Sequence, residues 1–146
     1  ELQDRLMQPH LAIAVLAVFA QVGLTLWAVY RMGIMRIADL KANPGDMAAV
    51  AERRHRYSQP VRLFENNAHS QFETPQLLYA GVGLAAALGA SNWGIALAAV
   101  AYVGLRLWHR HIHVGRNRLG PRFRVYVYGL VALLALWVSF GIELVI

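Results

Sequence analysis

The sequence predicts an all-α integral membrane protein built as a four-helix bundle. Three observations carry that reading. Of 146 residues, 58% are hydrophobic and only 15% are charged, far from the balance of a soluble domain. The hydrophobic residues fall in blocks whose lengths approach or reach that of a bilayer span. The basic residues sit between those blocks, in alternate connections, as the positive-inside rule requires. The length suits one domain, residues 1–146.

Residues 11–30 carry no charge. A helix of that length rises roughly 30 Å, the thickness of the hydrocarbon core. Pro9 suits its first turn. Trp27 and Tyr30 mark its exit, followed by Arg31 and Arg36. Gln21 and Thr25 share a face and read as helix-packing residues. Residues 41–59 read as a loop: KANPGD is a turn signal, with a short helix expected at 48–56. Pro60 opens the second helix, expected to be continuous over 61–88. Its apolar part, 75–88, is too short to span alone, so the polar first half, VRLFENNAHSQFE, must enter the interface or the protein interior. GASNWG at 89–94 is an uncharged tight turn. The third helix begins near Ile95 and runs through a His/Arg stripe until Gly120-Pro121 breaks it. Residues 122–146 form the fourth helix.

Thirteen of the fourteen Lys and Arg residues lie in or beside the first and third connections, and the second connection has none. With four spans, the first and third connections share a side. The rule puts both in the cytoplasm and both termini opposite. The net charge of +6 therefore reflects topology, and a nucleic-acid partner is not expected. No cysteine is present, which excludes disulfides, thiolate metal sites and a cysteine nucleophile. At the N-terminus Glu1 and Asp4 offset Arg5, and no small-residue cleavage site follows a short apolar core, so no signal peptide is expected.

Two polar stripes remain. Arg62, Asn66, His69 or Ser70, and Glu73 follow helical spacing on the second helix. Tyr102, Arg106, His109, His113 and Asn117 follow it on the third. An antiparallel bundle brings the two stripes together. The result is a cationic crevice, with Arg62, Arg106, Arg116 and Arg122 available against Glu73. Glu73 borders the apolar block. An ionisable group at that depth marks a functional site or a buried ion pair. Such a crevice suits an anionic, amphipathic ligand; arginines that merely anchor lipid headgroups are the alternative. His109 and His113 have the i, i+4 spacing of a metal pair. No acidic residue in that segment completes a shell and arginines crowd it, so no metal is expected. Ser70 lacks a nucleophile-elbow context.

The chain resembles the bacterial branch of the membrane-associated proteins in eicosanoid and glutathione metabolism, MAPEG. The carrying residues are Gln71-Phe72-Glu73-Thr74-Pro75, then Leu77-Leu78-Tyr79, and the third-helix pattern Arg106, His109, His113, Asn117 and Arg122. The resemblance implies a homotrimer in the bacterial inner membrane, with active sites between subunits near the cytoplasmic face. It implies glutathione as cofactor and a hydrophobic or lipid-derived electrophile as substrate. Arg122, or else Arg118, is then the thiolate-stabilising arginine. Glutathione would lie among Arg62, Asn66, Ser70, Glu73, Arg106, His109, His113 and Asn117. Glutathione-using members carry an arginine and an asparagine where this chain has Asn66 and Ser70. The activity so implied is that of a transferase or peroxidase acting by thiolate attack. The rival reading is a non-enzymatic protein holding a membrane lipid or other anionic amphiphile in the same crevice.

Overall fold

A computed structural model describes residues 8–45 and 47–146. The N-terminal stretch weighed as a signal peptide and Asp46 of the KANPGD turn lie largely outside them. Helix α1 spans Pro9–Ala42, with Pro9 in its first turn. It runs well past residue 30, because no helix breaker occurs before Asn43-Pro44. The short α2, Met47–Ala51, is briefer than the expected 48–56. Arg53 ends it in the left-handed region at φ 57°. Asp39 accepts the Ser58 N–H at 3.1 Å.

The second span corrects the sequence reading. It is not one helix over 61–88 but two: α3, Gln59–Ser70, and α4, Pro75–Leu88. Pro75 has no N–H to continue an α-helical ladder. The backbone between them tightens into three-residue turns, Gln71 N–H to Ala68 O at 3.1 Å and Phe72 N–H to His69 O at 3.0 Å. Gly89 then closes α4 at φ 72°, a left-handed C-terminal cap that glycine adopts without penalty.

Helix α5 spans Trp93–Val114, capped by Asn92, whose side chain accepts the Ile95 N–H at 3.0 Å. Here too the expected break moves. The helix ends before Gly115, and α6, Leu119–Val145, already contains Gly120 and Pro121. Proline costs little there, because the first N–H groups of a helix have no intrahelical partner. Asn117 therefore lies in the turn at φ 47°, not on the helical face assigned to it. Its N–H donates to Ile112 O at 2.8 Å, the long closing bond of a helix C-terminus.

The four-helix bundle is α1, the broken α3/α4, α5 and α6, with α5 and α6 packed most extensively. Two helices, Pro9–Ala42 and Leu119–Val145, are long and apolar enough to cross a membrane. The halves α3 and α4 are too short individually, and α5 carries Arg106 and Arg110. The core alternates small and large residues, among them Ala85, Ala99, Tyr102 and Leu136. Small residues let membrane helices approach closely. At Gly81 an added Cβ would lie 2.5 Å from Leu136 Cδ2 and 3.4 Å from Trp137. Leu136 is fully buried and has no room to swing aside. Gly81→Ala is therefore expected to destabilise the bundle by about 2 kcal/mol. Thermal melts in detergent read that loss.

The break between α3 and α4 leaves the last carbonyls of α3 without α-helical donors. Inside a membrane such groups must find partners within the protein. Side chains supply them. Asn67 O accepts from Ser70 Oγ at 2.7 Å and from Gln71 Nε2 at 3.3 Å. Ser70 O accepts from Arg106 Nη2 of α5 at 2.9 Å. Gln21 of α1 donates to Gln71 Oε1 at 3.0 Å, and Arg110 donates to Asn67 Oδ1. Gln21 is thus a packing residue, and a polar one. Thr74 and Tyr102 share a hydrogen bond of 2.8 Å beside the break.

Candidate functional site

Both local breaks open onto one cavity. The turn at 71–74 ends α3 at Ser70 and leaves Glu73 outside any helix. The turn at 115–118 folds the start of α6 back against the last two turns of α5. This open cavity, about 230 Å³, is lined by Ser70, Glu73, His109, His113, Arg122 and Tyr126, with Leu119 and Phe123 at its apolar side.

Five residues singled out in the sequence meet here: Ser70, Glu73, His109, His113 and Arg122. Two more stand behind them. Arg106 is buried and donates to Ser70 Oγ at 3.0 Å. Asn117 accepts from Arg122 Nη1 at 2.6 Å. Three others lie elsewhere. Arg118 is exposed at the start of α6. Arg62 and Asn66 line two different cavities beside the first connection. A single helical stripe did not separate them, because α3 ends at Ser70 and its earlier turns face the loop. Leu119, Phe123 and Tyr126 were missed. Tyr126 follows Arg122 by one helical turn, but an aromatic residue within an apolar block carries no signal of its own.

The chemistry of the cavity is mixed. Arg122 supplies a fixed cation and Glu73 a carboxylate. Among the described residues Glu73 has no ion-pair partner within bonding distance, and it is exposed within this chain. The His109 and His113 rings meet edge-on with centroids 5.6 Å apart, and His109 lies 6.1 Å from Tyr126. Arg106 Nε and the Nδ1 atoms of both histidines are buried with no hydrogen-bond partner among the described residues. Buried polar atoms are nearly always paired, so these three stand out beside the cavity. Among the described residues, no three of His, Cys, Asp and Glu form a group suited to a metal ion.

Asn117 works through Arg122. Its left-handed backbone suits Asn or Gly, and its side chain steers the guanidinium. Asn117→Gly is expected to keep the thermal midpoint while lowering any Arg122-dependent activity by about tenfold. Asn117→Asp, which keeps both the backbone preference and the acceptor, should restore most of it.

The family model described as the MAPEG family matches residues 14–142, most of the chain. The chain belongs to the MAPEG family. Comparison with curated proteins gives no match, and comparison with solved structures gives none. As a MAPEG protein it is an integral membrane four-helix bundle of the kind found in eicosanoid and glutathione metabolism. MAPEG proteins use glutathione, and the cavity residues suit that molecule. By charge, a guanidinium such as that of Arg122 suits a carboxylate or thiolate, and a carboxylate such as that of Glu73 suits an ammonium group. One feature is short: glutathione has two carboxylates, and among the described residues Arg122 is the only arginine on the cavity wall.

Proposed function

We propose that this protein is a glutathione-dependent transferase or peroxidase acting on hydrophobic or lipid-derived electrophiles. The observation that carries the reading is the meeting of Arg122, Glu73, His109 and His113 on one cavity with an apolar side at Leu119 and Phe123. When bound, glutathione supplies a thiol whose ionised form attacks an electrophilic carbon or reduces a hydroperoxide. Arg122 holds the thiolate charge, since an adjacent cation lowers a thiol pKa. Asn117 fixes the Arg122 guanidinium. Glu73 orients the ligand through its ammonium group. Ser70, held by Arg106, offers a hydroxyl to the ligand backbone. Leu119 and Phe123 face the side from which an apolar substrate enters out of the lipid.

The protein acts as a homotrimer in this reading, and the missing arginine for the second carboxylate comes from the neighbouring subunit. The arginine-rich connections lie on the cytoplasmic side of a bacterial inner membrane. Thermal melts in detergent test the reading. A ligand that binds only the native state raises the midpoint by mass action. Glutathione should raise it and a simple dicarboxylate should not. Equal effects would mean a general anion crevice, and the lipid-binding reading would take its place.

A further inference from the structure

A larger cavity, about 510 Å³, lies on the connection between α1 and α3, apart from the site above. Its polar wall is Arg53, His55, Asn66 and His69, arranged around Arg36 and Glu65. Among the described residues the local carboxylates are already engaged. Glu65 pairs with Arg36 at 2.6 Å, Glu52 pairs with Arg54 at 2.6 Å, and Asp39 accepts the Ser58 N–H. Arg53 has no ion-pair partner among the described residues, so its charge faces the cavity uncompensated.

The backbone points the same way. Arg53 closes α2 in the left-handed conformation, with the Arg54 N–H donating to Ala49 O at 2.8 Å. Glycine is the favoured residue in such a closure, and a side chain there is strained. Strain kept beside a cavity is a reason to look for a ligand contact. His55 is held as well. It stacks edge-on against Tyr57 with centroids 4.6 Å apart. Gly45 closes over it, where a Cβ would come within 2.5 Å of His55 Cε1.

We propose that this cavity binds a phosphate group, held by Arg53 with His55, His69 and the Asn66 amide. A guanidinium, two imidazoles and an amide on one cavity provide more donors than a planar carboxylate accepts, which suits a tetrahedral anion. The cavity lies beyond the apolar block of α1. The phosphate therefore belongs either to a phospholipid headgroup or to a soluble phosphate compound. The site is independent of the glutathione reading and stands without it.

Two arms distinguish the sources. In the first, inorganic phosphate is titrated calorimetrically into the full chain in neutral detergent. In the second, thermal midpoints are compared in phosphate-free neutral detergent with and without added phosphatidic acid. Binding in the first arm assigns a soluble phosphate; a response in the second arm alone assigns a lipid headgroup. In whichever arm responds, Arg53→Gly and His69→Gln should weaken the effect by about tenfold. Arg53→Gly suits the turn, so lost binding is not lost folding. Silence in both arms overturns the proposal. So does a response that survives Arg53→Gly, or one abolished by Arg122→Ala, which would put the anion in the other cavity.

Discussion

Arg122→Ala is expected to lower glutathione-dependent turnover by about a hundredfold or more, with the fold intact. The magnitude is that of removing one preorganised electrostatic contact to a developing or stabilised anion. The fold should survive because the guanidinium has a single hydrogen bond among the described residues, to Asn117 in a surface turn. Steady-state kinetics with an activated aromatic halide and with a lipid hydroperoxide would read the loss, and both activities should fall together. Arg118→Ala separates this account from its neighbour. Arg118 is exposed and does not line the cavity, so its removal should change turnover little. A larger effect at Arg118 than at Arg122 would reverse the assignment.

Glu73→Gln is expected to weaken glutathione binding by about tenfold to a hundredfold, the loss of a hydrogen bond to a charged group. Stability should not change, because the Glu73 side chain makes no hydrogen bond or ion pair among the described residues. That separation is informative. A structural ion pair would show itself as a fallen thermal midpoint. A ligand contact shows itself as a raised KM and weaker binding with the midpoint of the free protein unchanged.

Much of this was legible in the sequence, and the limits have physical causes. Charge alternation and block hydropathy gave the four-helix membrane bundle, since the bilayer imposes both patterns on any chain that crosses it. The pairing of His109 with His113 was legible because i, i+4 spacing fixes a helical face; Glu73 and Arg122 reach them because short turns make neighbouring helices antiparallel. The helix ends were less legible. Pro75 and Gly120-Pro121 are equally strong local signals. Only Pro75 coincides with a break, where the carbonyls of Asn67 and Ser70 at the end of α3 find donors in Gln71 and Arg106, whereas Pro121 rests in a first turn where it is tolerated. Those two outcomes moved Asn117 off its helix and turned Arg62 and Asn66 toward the loop. The buried layer from Gln21 through Gln71 and Asn67 to Arg110 joins residues from three helices. No spacing rule within one helix announces such a layer.

Calorimetric titration of glutathione into the purified protein, with Glu73→Gln and Arg122→Ala alongside, tests the central claim most directly. The expected result is saturable binding to the native chain that is weakened at least about tenfold in each variant. Absence of binding by protein that melts cooperatively, or binding indifferent to both substitutions, would contradict the glutathione site while leaving the membrane fold as described.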